Sequence, residues 1–125
     1  MERRRVVVTG LGAINAIGHN VEETWKSIKE GVCGIDEITN YDKELTKVKI
    51  AGEVKNFNAA DYLDKKAVRK MDRFTQFGVI AAKEAFKDAG LKIEEIDADR
   101  FGVVVSSGIG GLATIEKDHT KGIEK

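Results

Sequence analysis

Apolar residues along this chain fall into two alternating patterns, short unbroken runs and helical repeats. Val6, Val7 and Val8 form the first run, and such a run reads as a strand covered on both faces of a parallel sheet, here over residues 4–9. Asn20 followed three positions later by Glu23 reads as a helix N-cap with its reciprocal partner. Val21, Trp25 and Ile28 then recur at helical spacing until Gly31 ends the helix. The stretch VKIAGEV, residues 48–54, predicts a strand, and residues 59–71 read as short helical pieces. A longer helix is expected to start after Asp72 and stop at Gly90. Its Phe74, Phe77, Ala81, Ala82, Ala85 and Ala89 share one face. FGVVVSSGIGGLATIEK, residues 101–117, supplies a second valine strand, a glycine turn and the start of another helix. Two apolar strands separated by helices imply an α/β fold with a parallel sheet.

Length and composition narrow this further. A chain of 125 residues makes one domain, 1–125, at most, with a modest core. Lys plus Arg and Asp plus Glu both number 21, so overall charge favours neither nucleic acid nor membrane, and an electrostatic partner has to be sought in a local patch. The apolar run after Arg3, Arg4 and Arg5 is too short for a signal peptide, and no stretch approaches membrane-spanning length. One cysteine, Cys33, suits a reducing cytoplasm. The chain reaches Lys125 shortly after a helix has begun and without a closing strand, which reads as a cut end.

Both glycine turns invite comparison with dinucleotide-binding loops. In the first, Gly10 and Gly12 fit the fingerprint, but Asn15 stands where the last glycine is needed for close helix packing. The second, GIGGLA at residues 108–113, satisfies the relaxed form with Ala113 in last place and leaves a nucleotide-binding module open as an alternative. Glycines so closely spaced also serve wherever backbone must approach another chain or a ligand.

Cys33 has no histidine nearby in sequence to activate it, and His19 and His119 lack ligand spacing to a second His or Cys, so neither a nucleophile nor a metal site is assigned. The run DKKAVRKMDR, residues 64–73, is more informative. Lys66, Arg69, Lys70 and Arg73 are spaced three and four apart, and continuous helix would line them along one side. Such a run is either a solvated face or a docking patch for an acidic partner. No aromatic residues interleave with the basic ones, which disfavours single-stranded nucleic acid.

VVVTGLG, ETWKSIKEG, VKNFNAADYL, RKMDRFTQFG and SSGIGGLATIEKDHT together, in this order and spacing, resemble the amino-terminal portion of a β-ketoacyl-acyl carrier protein synthase, type II. The resemblance covers nearly the whole chain. One departure is NAIG at residues 15–18, where the family usually carries Ser-Pro, a residue, then Gly; this changes the stiffness of the turn.

The resemblance implies part of the amino-terminal half of a thiolase-like fold, layered αβαβα in the complete enzyme, and a cytoplasmic homodimer that needs no cofactor. Its chemistry would be decarboxylative Claisen condensation: a carrier-bound acyl group moves to a cysteine and is extended by malonyl-acyl carrier protein. The family's cysteine and histidines belong to later parts of its sequence, so no catalytic residue is expected in this chain, Cys33 included, and the chain alone is expected to be inactive. By the same resemblance Lys66, Arg69 and Lys70 fall where acyl carrier protein docks, with Arg73 a weaker extension from spacing. Gly108, Ile109, Gly110 and Gly111 fall near the acyl pocket and dimer interface, with Ile109 lining the far part of the pocket. A carrier-protein-binding domain without enzymatic role is the remaining alternative.

Overall fold

The computed structural model describes residues 3–124; the expected cut end at Lys125 lies outside them. Six regular elements follow one another: α1 (Val21–Lys29), β1 (Ile35–Glu37), β2 (Ile50–Gly52), α2 (Lys65–Val68), α3 (Arg73–Asp88) and α4 (Leu112–Ile123), with short 3₁₀ turns between them. They group into two compact units. One holds α1, β1, β2 and the later part of α3 through Leu91; the other holds Asn58–Ile80 and the chain from Lys92 onward.

In the first unit, α1 begins where its cap dictates. Asn20 is extended, and its side chain accepts a hydrogen bond from the Glu23 N–H at 2.8 Å. The Glu23 carboxylate reaches back to the His19 N–H at 2.8 Å, one residue earlier than a reciprocal box requires. Gly31, at φ +68°, follows the helix in the left-handed conformation that glycine adopts freely. The loop before α1, NAIG, is held by its own hydrogen bonds. Asn15 and Gly18 exchange backbone hydrogen bonds, and the Asn15 side chain accepts from the Ile17 N–H at 3.0 Å, an Asx-turn.

β1 and β2 form an antiparallel pair in the register Ile35 to Gly52, Asp36 to Ala51 and Glu37 to Ile50, so the strand read over 48–54 is present in its central part. The buried Ile38 extends the ladder by donating its N–H to Lys49 O at 3.0 Å. Beside it the buried carboxylate of Glu53 accepts from the Thr39 hydroxyl at 2.6 Å and from the Thr39 and Asn40 N–H groups at 3.0 and 3.1 Å. A buried carboxylate is tolerable only when its oxygens are so satisfied.

α3 covers the predicted span and Gly90 follows it at φ +65°. Its predicted face is covered in part, where Ala81, Ala85 and Ala89 pack against Gly10 and Gly12. Ile80 is the buried residue, whereas Phe74 and Ala82 are exposed. In the second unit Ala59, Leu63 and Ile80 supply the buried apolar residues.

The two valine runs depart most from expectation. Residues 4–9 and 101–105 pair with no strand among the described residues, and the sheet that does form is antiparallel, not parallel. A strand becomes one only through hydrogen bonds to a neighbour. Without such a neighbour the valines face solvent, Val6 at 89% and Val104 at 95% exposure.

The Glu53 carboxyl is held below the ordinary glutamate value, first by the Thr39 hydroxyl and then by the two N–H groups, while burial opposes the shift. Asp36, paired with Lys55, is lowered in the same way. Because the folded value lies below the unfolded one of about 4.3, Glu53 stabilises the fold fully above that pH, and the contribution disappears as pH falls through the folded value. Glu53→Gln is therefore expected to lower the melting temperature at pH 7 and to flatten its decline below about pH 4.3. An acid limb identical to that of the native chain would refute this account.

Candidate functional site

The basic run starts at a cap. Asp64 accepts from the N–H groups of Lys66 and Ala67 at 3.0 and 3.1 Å, which starts α2. The helix ends after one turn. Lys66 lies on α2, Arg69 is its C-cap, Lys70 lies in the following turn, and Arg73 opens α3. The continuous helix that would line up all four is therefore not formed. Gln76 explains why the break is stable: its side-chain amide donates to the carbonyls of Val68 and Met71 at 3.2 and 3.0 Å, so the open end of α2 is not left unsatisfied.

All four basic side chains are exposed. Among the described residues Lys66, Arg69 and Lys70 form no ion pair, whereas the Arg73 guanidinium lies 5.2 Å from the centre of the Phe77 ring. Three cations are thus presented unneutralised, and the fourth is partly engaged by its own helix.

The second predicted set lies in the same unit. Gly110 has φ +83°, and its N–H donates to the Ser107 hydroxyl at 3.0 Å. Gly111 is the N-cap of α4. The space a β-carbon would need at Gly111 is filled by the carboxylate of Asp72, which also accepts the Thr114 hydroxyl from the first turn of α4. Gly108 has open space around it, and Ile109 is 73% exposed. Asp72 stands between Lys70 and Arg73 and so joins the basic run to the glycine turn. Sequence reasoning passed over Asp72 and Thr114, although an acid inside RKMDR was a visible signal.

This geometry also decides the nucleotide question. A helix N-terminus after a glycine turn can hold a pyrophosphate. At α4 that position already carries the Asp72 carboxylate, whose charge opposes a phosphate. In the first turn Gly10 and Gly12 do bring backbone close to a neighbour, but the neighbour is α3, at Ala85, Ala89 and Ala81. The carboxylate of Glu84 accepts from the Ala13 and Val21 N–H groups at 2.9 and 2.8 Å, and Asp88 accepts from the Leu11 N–H at 2.8 Å. The amides that would cradle a phosphate are thus satisfied within the protein. These two carboxylates also border an open cleft of about 560 Å³ beside Trp25.

Cys33 is exposed, its thiol directed to Ile35 O at 3.7 Å. The His19 ring bonds through Nε2 to Lys55 O at 2.9 Å and meets Phe57 edge-on, and His119 is exposed on α4. No helix among the described residues is long and apolar enough to cross a membrane.

Residues 3–124 match the family model described as beta-ketoacyl synthase, N-terminal domain. The chain is 52% identical over 124 residues to 3-oxoacyl-[acyl-carrier-protein] synthase 2 of Staphylococcus aureus strain COL, and 46% identical over 125 residues to that of Vibrio harveyi. These alignments cover 99% and 100% of the chain, which spans about 30% of the length of each relative. Among solved structures, the ishigamide ketosynthase/chain length factor superposes with a TM-score of 0.73 at 32% identity, over 97% of this chain and 31% of that one. A type II polyketide synthase acyl-carrier protein in complex with its ketosynthase, bound to the hexaketide, gives 0.72 at 27% identity, over 94% and 30%.

The packing of the first glycine turn on α3 has a measurable consequence. A β-carbon at Gly12 would overlap the Ala81 carbonyl, whereas one at Gly102 would meet nothing. Gly12→Ala is expected to destabilise the chain by about 1–3 kcal/mol in urea unfolding, as overpacking does. Gly102→Ala should stay within about 0.5 kcal/mol of the native chain. Equal effects would mean that Gly12 does not touch α3.

Proposed function

The chain belongs to the beta-ketoacyl synthase family, matching its N-terminal domain over residues 3–124, and from that premise we propose that it is the carrier-docking and pocket-forming domain of a fatty-acid condensing enzyme. Its fold is the α/β, thiolase-like fold of the ketosynthases. Residues 1–125 are then an incomplete amino-terminal thiolase-like ketosynthase domain of a cytoplasmic, homodimeric 3-oxoacyl-acyl carrier protein synthase.

In that reaction a carrier-bound acyl group is passed to an enzyme thiol. Malonyl-carrier protein then loses carbon dioxide, and the resulting carbanion attacks the acyl thioester carbonyl and expels the thiolate. This chain's part is recognition. Lys66, Arg69 and Lys70, with Arg73 beside them, meet the acidic surface of acyl carrier protein, and the turn Gly108, Ile109, Gly110 and Gly111 forms part of the acyl pocket and dimer surface. The observation that supports this reading is the set of exposed cations Lys66, Arg69 and Lys70, without an ion pair among the described residues, on the stretch that Asp72 links to the glycine turn. Their positive charge is complementary to an acidic helix.

Replacing Lys66, Arg69 and Lys70 together by Glu converts attraction to repulsion. Exposed pairs are worth about 0.2–1 kcal/mol each, so the triple variant should bind acyl carrier protein roughly tenfold or more weakly, with slower association and reduced salt sensitivity. Unchanged affinity in the folded triple variant would return the run to a solvated face. The 125-residue chain alone is expected to release no labelled carbon dioxide from malonyl-carrier protein. Substituted for the matching segment of the Staphylococcus aureus synthase, it should support condensation; a folded but inactive hybrid would favour a binding role without enzymatic function.

A further inference from the structure

Asp72 is surrounded by positive charge in sequence, with Lys70 before it and Arg73 after it. Its side chain nevertheless turns to the other predicted set. The carboxylate occupies the volume left by the missing side chain of Gly111 and accepts the Thr114 hydroxyl, 42 residues further along the chain. It lies beside the first turn of α4, at Gly111 and Thr114, and a negative charge near a helix N-terminus is favoured by its exposed N–H groups. The rest of the turn offers less constraint. Gly108 has no neighbour at its α-carbon, Ile109 is 73% exposed, and the fixed points nearby are the Ser107 hydroxyl on the Gly110 N–H and the edge of Phe74 at 3.5 Å from where a Gly110 β-carbon would lie.

We infer that Asp72 is a positioning residue that ties the turn Gly108–Gly111 to the basic run, so that occupation of Lys66, Arg69 and Lys70 by an acidic partner is felt at Ile109. The inference rests on the docking role proposed above and adds a path from it to the pocket. Asp72 belongs to the backbone stretch between α2 and α3, the same stretch that carries Lys70, so any adjustment of that stretch moves the carboxylate. Thr114 and Gly111 have to follow, because one is hydrogen-bonded to the carboxylate and the other shares its space.

The test follows backbone amide and Ile109 methyl signals by NMR in the 125-residue chain while acyl carrier protein is added. In the native chain the signals of Lys66, Arg69 and Lys70 and those of Ile109, Gly110 and Gly111 should move together. Thr114→Val removes the hydroxyl at nearly constant volume. In this variant the basic-run signals should still move, and those of the turn should respond roughly fivefold less. Thr114→Ser keeps the hydroxyl and should restore the native response, which a purely structural role for Thr114 would not require. Asp72→Asn provides a second variant; it makes the run more positive, so carrier binding should not weaken while the response of the turn falls. If the basic-run signals of the native chain stay still, the docking role fails and this inference with it. If they move and the turn does not, or if Thr114→Val responds as the native chain does, the docking role stands and the inference is overturned.

Discussion

One carboxylate ties the first glycine turn and the start of α1 to α3. Glu84, on α3, accepts the N–H of Ala13 through one oxygen and that of Val21 through the other, and so fixes both the loop after the first glycine turn and the first residue of α1 to a single helix. Backbone N–H groups in a loop or at a helix start have no partner of their own and must find one. The glycines make this possible. Only a chain without β-carbons at positions 10 and 12 can lie close enough to α3 for a side chain of glutamate length to reach across. Asp88 extends the same arrangement to the Leu11 N–H.

The second unit repeats the principle with a shorter acid. Asp72 and Gly111 form another pairing of carboxylate and missing side chain, again at the start of a helix that follows a glycine turn. In both units sequence patterns that suggest anion binding are occupied by the protein's own anions. This also reconciles a formal net charge of zero with a locally positive surface. Some of the acids are engaged within the protein, Glu53 and Glu84 by backbone N–H groups and Asp72 by the Thr114 hydroxyl, while Lys66, Arg69 and Lys70 remain outside.

Features governed by neighbouring residues were legible in the sequence. The start of α1 followed from Asn20, the ends of α1 and α3 from Gly31 and Gly90, and the start of α3 from its place after Asp72. Each is set within a few residues of chain, where capping and left-handed glycines operate. The valine runs were misread as paired strands because their pattern reports only what they could bury; pairing depends on residues far away in sequence. The face of α3 was legible in its small residues but not in its buried one. Small residues such as Ala81 and Ala85 mark where another backbone approaches, not where the apolar core lies, and that core falls at Ile80. The break between a short helical piece and a longer helix after Asp72 was readable; what was not is how it is satisfied, since the partner is Gln76, a residue outside the run. The contacts of Glu84 and Asp72 were not legible, because a carboxylate on a mostly polar surface looks like any other until its distant partner is known.

The two valine runs differ in what stands beside them. Val6–Val8 follow Arg3, Arg4 and Arg5, a block of like charge that resists lateral stacking of one copy on another. Val103–Val105 are flanked by Phe101 and Gly102 on one side and Ser106 and Ser107 on the other, with no charge nearer than Arg100. An exposed stretch of high strand propensity with neutral neighbours and no proline is a template for cross-β growth. The second run is therefore the more open of the two to strand pairing with another chain, while the first carries its own gatekeepers.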